Sequence, residues 1–266
     1  MDAKQRGFLA GKVAIVTGAG QGIGRGVSLQ LAEQGARVVV SDINADTAAE
    51  TVSIALSRGG EALAIGCDIA DSASVETLVE EAAARFGAIH ILVNNAYLGN
   101  MPGPLESKAA GDFARALQGS LYAPLAAMQR VFPFMKAQGW GRIINMCSLN
   151  GVNAHMYTAD YNVSKEALRC LTRSAAREWA AHGITVNAIC PGARTPAYER
   201  FAAASPENAA QLLKQNPMGR MGEPEQDIGG VVAFICSDAG SYMTGNTVFL
   251  DGGSHINGVS WQPAAR

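Results

Sequence analysis

The feature that most constrains this chain is a regular alternation of short, continuously apolar runs with longer helical stretches. Seven runs read as strands: Lys12–Thr17, Arg37–Ser41, Ala62–Cys67, Ile89–Asn94, Gly141–Cys147, Thr185–Ile189 and Asn246–Leu250. Between them, helical patterns cover Ile23–Glu33, Ala45–Arg58, Ser74–Phe86, Gly111–Gln138, Tyr161–His182 and Pro224–Ser237. Runs that are apolar at every position suit parallel strands covered on both faces, because a sheet with one wet face would alternate. Regular βα succession then imposes right-handed crossovers. The expected fold class is α/β: one domain over residues 1–266, with a doubly wound, mainly parallel seven-stranded sheet and helices on both faces. Ligands in such sheets bind beyond the carboxyl ends of the strands.

Composition removes several function classes. The chain has 266 residues, is 48% hydrophobic and 17% charged, and carries a net charge of -2. A large core is therefore available, and no basic face for nucleic acid or polybasic membrane patch is expected. No stretch approaches the ~20 apolar residues of a membrane span, and the first ten residues lack a signal-peptide core. The five cysteines (Cys67, Cys147, Cys170, Cys190, Cys236) are scattered without CxxC spacing, so neither a zinc site nor a disulfide framework is expected. Together these features predict a cytoplasmic protein with no metal.

The first strand ends in Thr17-Gly18-Ala19-Gly20-Gln21-Gly22-Ile23-Gly24 and runs directly into a helix. Glycines allow a tight turn and let backbone N–H groups approach a pyrophosphate at the positive end of that helix. A glycine-rich turn alone is weak, but strand, turn and helix arrive here in the order a Rossmann-type dinucleotide site needs. The second strand ends at Asp42, followed by Ile43. A carboxylate there can accept hydrogen bonds from both adenosine ribose hydroxyls and would repel the 2′-phosphate of NADP. Neither Gln21 nor Ile43 offers a cation to that phosphate, so NAD is the expected cofactor. The competing reading is that Asp42 caps the next turn. Asp68 and Ile69 follow the third strand, placed to bond the adenine amino group and flank its ring. Asn94-Asn95-Ala96 follow the fourth, where the segment either binds cofactor, through Asn95 and Ala96, or ties neighbouring strands together; for Asn94 the second is the favoured reading.

Tyr161-Asn162-Val163-Ser164-Lys165 opens a helix, and i to i+4 spacing places Tyr161 and Lys165 on one face. A free phenol titrates near ~10, too high for a base at neutral pH. An ammonium about 4 Å away contributes roughly 4 kcal/mol at an effective dielectric of ~20, on the order of three pKa units toward phenolate. Such a phenol can remove an alcohol proton or, in reverse, protonate a carbonyl. Ser148, at the end of the fifth strand, can hold the substrate oxygen.

With these pieces in place, the chain resembles the short-chain dehydrogenase/reductase family over nearly its whole length. The matching elements are Thr17-Gly18-x-x-x-Gly22-x-Gly24, Asn94-Asn95-Ala96, Ser148, Tyr161-x-x-x-Lys165, Asn187 before Pro191-Gly192, and Leu250-Asp251-Gly252-Gly253. The resemblance implies Tyr161 as acid/base, Ser148 as polariser and Lys165 on the nicotinamide ribose. It also implies Pro191, Gly192 and Thr195 near the carboxamide, and a homotetramer (or dimer). Three departures stand out. Tyr97 replaces the usual glycine after Asn-Asn-Ala. Ser120 sits where the family carries a proton-relay asparagine. The loop from Pro191 to Thr195 is one residue short.

The substrate pocket is expected from segments after the fourth, fifth and sixth strands, with Tyr97, Asn150, His155 and Tyr198 as candidate contacts beside Leu98, Met101, Met156, Tyr157 and Phe201. That lining favours an apolar, cyclic secondary alcohol or ketone. Residues 193–216, with an alanine-rich helix at Phe201–Leu213, read as a lid or an ordinary surface helix. Residues 254–266 form a tail in which Trp261 either packs on a neighbouring subunit or lies free. The main alternative function is an NAD-binding regulatory or scaffold protein. A reductase of carbon–carbon double bonds is disfavoured by the four-residue Tyr161–Lys165 spacing.

Overall fold

The structure is a computed structural model that describes residues 7–256. Seven strands form one sheet: β1 (Val13–Thr17), β2 (Arg37–Asp42), β3 (Glu61–Gly66), β4 (Ile91–Asn94), β5 (Gly141–Met146), β6 (Ile184–Pro191) and β7 (Thr247–Leu250). Their spatial order is β3-β2-β1-β4-β5-β6-β7, and every neighbouring pair is parallel. The order reverses between β1 and β4, which opens a crevice at their carboxyl ends.

The apolar runs account for this directly. Side chains alternate across a strand, so both neighbours in the run need a helical cover. Ala14 and Val16 face Val27 and Leu31 of α1 (Gly22–Glu33) and Val232 of α10 (Gly230–Cys236). Ile15 faces Leu78 and Val79 of α3 (Ser72–Phe86) and Met128 and Val131 of α5 (Ala123–Gln138). The outer strands need less cover: β3 is largely exposed and β7 half-buried. Helix α2 (Ala45–Ser57) is capped by the Asn44 side chain, which accepts from the Thr47 N–H.

Three expected helices divide differently. The span Gly111–Gln138 is α4 (Ala110–Leu117), a widened π turn at Gln118–Tyr122, and then α5. The widened turn brings Gly119 so close to Leu98 that an added Cβ would stand 2.8 Å from Leu98 Cγ. Phe201–Leu213 is not one helix: α8 (Pro196–Ala204) and α9 (Pro206–Gln215) meet at Ser205. Pro206 drives its predecessor out of the helical region, which forces the break. Pro224–Ser237 likewise starts with a π turn at Pro224–Gly229 before α10. Between β5 and the long helix α7 (Ala159–Trp179) lies the short α6 (Leu149–Val152).

Cys67, Cys147, Cys190 and Cys236 are buried and Cys170 is exposed, all as free thiols. No helix among the described residues is long and apolar enough to cross a membrane, and none of their His, Cys, Asp and Glu side chains group as a metal site. Trp261 lies outside the described residues.

Candidate active site

The glycine turn is built by contacts that leave no room for side chains. Gly18 and Gly22 have φ of +61° and +56°, a region that disfavours any residue with a Cβ. An added Cβ on Gly24 would stand 2.2 Å from the Gly18 carbonyl oxygen. Thr17 Oγ1 accepts the Asn95 and Ala96 N–H groups at 3.0 and 3.1 Å, joining β1 to the end of β4. Asn95 Nδ2 donates to the carbonyls of Thr17 (2.9 Å) and Gly18 (3.0 Å), so its amide is committed to shaping the turn. Asn94 Nδ2 donates to Asn145 Oδ1 at 2.8 Å, and Asn145 Nδ2 to Thr172 Oγ1 at 2.9 Å. That buried ladder is the strand-tying role favoured for Asn94. Helix α1 carries no side-chain cap, so the N–H groups around Ile23 have no such partner.

A cleft of about 290 Å³ opens beside this turn, lined by Gly18, Gln21, Asp42, Ile43, Asp68, Ile69, Asn95, Ala96, Tyr97 and Leu98. Asp42 Oδ2 accepts the Gly20 N–H at 2.8 Å and Oδ1 the Asn44 N–H at 3.0 Å. The turn-capping reading of Asp42 therefore holds, while each carboxylate oxygen keeps a lone pair for a further donor. The cation in this region, Arg25, is engaged: it donates to the Gly20 carbonyl and pairs with Glu50 at 2.6 Å. Asp68 Oδ1 accepts the Ala70 N–H at 2.9 Å, and Ile69 is buried. Cleft size, carboxylate and bare glycine turn fit an adenosine and its pyrophosphate.

Ser148, Tyr161 and Lys165 come together at the ends of β5 and the start of α7. Ser148 Oγ caps α6 by accepting the Asn150 N–H at 3.1 Å, which leaves its hydroxyl hydrogen free to donate. Lys165 is 4% exposed, and its Nζ donates to the Met146 carbonyl at 2.8 Å. That Nζ lies 5.6 Å from the Tyr161 ring centroid and 5.5 Å from that of Tyr97. Burial runs against the expectation of a phenol lowered by its lysine. Burial pushes the Tyr161 phenol up, and the Ser148 hydrogen bond only partly opposes it. Burial likewise pushes Lys165 down. For both groups, loss of water around the charged form is the largest influence.

The other candidates are distributed. Ser120 lies in the π turn, 1% exposed, with Oγ unpartnered. Thr195 caps α8 by accepting the Tyr198 N–H at 3.2 Å, and its Cβ is 3.6 Å from where a Gly22 Cβ would stand, over the glycine turn. Pro191 ends β6, and Gly192 donates to the Leu250 carbonyl at 2.8 Å, on the side of Asp251. Tyr198 is half-buried beside Phe201. His155 is exposed, and its carbonyl accepts from Thr158 Oγ1 and Asn162 Nδ2.

Two features escaped the sequence reading. Lys108 Nζ lies 2.9 Å from Asp160 Oδ1, with both side chains buried next to Tyr161. Ala154 and Tyr157, between Ser148 and Tyr161, have φ of +51° and +66°. No local pattern signals the first. The lone hint of the second is Asn153 and the polar character of the loop.

Comparisons with known proteins agree with this geometry. The family model described as enoyl-(acyl carrier protein) reductase matches residues 18–255. Cyclohexanol dehydrogenase of Acinetobacter sp. (strain SE19) is 36% identical over 242 residues, covering 91% of this chain and 94% of that one. The crystal structure of NAD+-bound xylitol dehydrogenase superposes with a TM-score of 0.87 at 34% identity, over 92% of this chain and 99% of its own. A gluconate 5-dehydrogenase structure from Beutenbergia cavernae with bound NADP at low occupancy superposes with a TM-score of 0.84 at 35% identity, over 92% and 97%. By its motifs, its sheet and these likenesses, the chain belongs to the short-chain dehydrogenase/reductase family and is an oxidoreductase.

Proposed function

We propose that the protein is an NAD-dependent dehydrogenase that interconverts a secondary alcohol and a ketone, with Tyr161 as acid/base and an apolar, cyclic substrate. The observation that carries this reading is the convergence of Ser148, Tyr161 and Lys165 at the sheet end that also forms the Asp42 cleft. When bound, NAD accepts a hydride from the alcohol carbon. The chain supplies the rest. Ser148 donates its hydroxyl hydrogen to the substrate oxygen and holds it beside the Tyr161 phenol. Tyr161 Oη takes the hydroxyl proton as the ketone forms, and returns it in reduction. Lys165, held by the Met146 carbonyl, directs its remaining donors toward the ribose side of the site and favours the phenolate.

Asp42 supports NAD over NADP, because a carboxylate at the end of β2 opposes a 2′-phosphate and Arg25 is already paired with Glu50. The four-residue spacing of Tyr161 and Lys165 supports carbonyl chemistry over reduction of a carbon–carbon bond. The similarity to a cyclohexanol dehydrogenase supports a ring substrate. A homotetramer is the assembly that the family resemblance implies, and light scattering tests it.

The test is NADH formation across cyclic and linear secondary alcohols, with NADP in parallel, beside Tyr161→Phe. Turnover by the wild type with NAD, lost by 10²-fold or more in Tyr161→Phe while NAD still binds, supports the reading. Equal turnover by the variant removes Tyr161 from the acid/base role.

A further inference from the structure

We propose that the buried Lys108–Asp160 pair is a positioning device that fixes Tyr161 against the loop following β4. The inference rests on the role given to Tyr161 above. The two side chains are 4% and 3% exposed, whereas Arg25–Glu50, Arg58–Glu225, Arg194–Glu199 and Arg220–Asp227 each keep a side chain at least 50% exposed, and Arg169–Glu166 is 28% and 33% exposed. Taking two charges out of water is costly, and a well-packed apolar pair of the same size would fill the space at less expense. A use for the charges follows from what they connect.

The ammonium of Lys108 joins two elements. It donates to the Met101 carbonyl, and it holds Asp160 by charge, since the contact with Oδ1 lacks the alignment of a hydrogen bond. Asp160 lies in the first turn of α7, where the partial positive charge of the helix end favours a carboxylate. Its chain neighbour is Tyr161. The loop itself is tied at two more points, by Arg115 Nη2 to the Leu98 carbonyl at 2.8 Å and by the Gly103 N–H to the Tyr157 carbonyl at 2.9 Å. Its first residue, Tyr97, packs edge-on against Tyr161. The contacts thus close a circuit: Tyr161 to Tyr97, along the loop to Met101, through Lys108 to Asp160, and back to Tyr161. A reacting group displaced by about 1 Å can lose on the order of 10²-fold in rate, so a circuit around the phenol bears on turnover.

The experiment compares Lys108→Met, Asp160→Asn and the double variant Lys108→Met/Asp160→Leu with wild type. It measures kcat and KM on a ring alcohol, melting temperature, and amide exchange in residues 98–103. Each single variant strands a charge and is expected to melt lower. The double variant removes both charges and is expected to recover melting temperature while kcat stays at least tenfold down, with KM for NAD near the wild-type value. Faster exchange at residues 98–103 is expected whenever Lys108 is absent. Recovery of kcat together with melting temperature in the double variant would show a structural filler and overturn the proposal, as would wild-type kcat in Lys108→Met. If the wild type oxidises no alcohol, the functional reading alone fails, and unchanged exchange in Lys108→Met then overturns the positioning role separately.

Discussion

Tyr97 meets Tyr161 edge-on, with ring centroids 5.0 Å apart and planes inclined at 68°. The contact places an aromatic wall beside the phenol where the resemblance leads one to expect a glycine. Burial is the largest influence on Tyr161 and pushes it up. With Tyr161 as the proposed base, alcohol oxidation needs the phenolate, and its rate should rise with pH through the Tyr161 titration. Tyr97→Gly admits water and moves that acid limb to lower pH, measured as kcat/KM against pH.

Ser148→Ala acts in the opposite direction. The Ser148 hydrogen bond pulls the Tyr161 phenol down, so removing it moves the limb to higher pH. It also removes a donor to the substrate oxygen, and kcat falls by roughly 10²–10³-fold. Opposed shifts in the two variants, read from the same pH series, check both assignments.

Asp42→Arg exchanges a repulsion for an attraction at a 2′-phosphate. A charge-assisted bond of about 1.5–3 kcal/mol corresponds to roughly 10- to 150-fold. The ratio of kcat/KM with NADP to that with NAD should rise by that much. An unchanged ratio places the adenosine ribose elsewhere.

Stability should depend on pH through His90. Burial, aided by Lys12 and Arg37, pushes its imidazole down to about 4, and its Nδ1 accepts the Val13 N–H at 3.1 Å. On acidification the unfolded chain binds the proton first, so the stability is full above the unfolded value near ~6.5 and is lost as pH falls toward the folded value. Stability should therefore fall between pH 7 and 5. His90→Asn keeps an acceptor for Val13, and urea unfolding at the two pH values should show a correspondingly smaller difference.

Tyr157 is 56% exposed and held at φ +66°, so its ring contributes little to offset the strain of its backbone. A left-handed non-glycine residue costs about 1–2 kcal/mol, and glycine gives back about 0.5–1 kcal/mol in chain entropy. Tyr157→Gly should therefore raise stability by roughly 0.5–1 kcal/mol in denaturant titration. A decrease would show that the tyrosine ring has a contact that matters.

The five inner strands were legible because their apolar runs needed cover on both faces, as in Val13–Thr17 and Gly141–Met146. The place of Asp42 beside the cleft was legible from its position at a strand end. The break at Pro206 was readable from its proline, yet the alanine-rich composition around it masked the boundary. The π turn at Ser120 was not readable, since its residues carry no breaker beyond Gly119. The Lys108–Asp160 pair was hidden for another reason: a loop lysine and a helix-start aspartate are each ordinary, and only the fold brings them together. The direction of the Tyr161 shift needed burial, which spacing on a helix face does not report.

The reversal of strand order between β1 and β4 has an engineering consequence. Asp42, Ile43, Asp68 and Ile69 all precede β4, whereas Ser148, Tyr161 and Lys165 all follow it. On the roles proposed above, coenzyme preference and reaction chemistry would occupy separate stretches of the gene product, joined across the sheet by the β1–β4 pairing. A chimera that exchanges the first ninety residues as one cassette would transplant the first trait and leave the residues of the second in their native sequence.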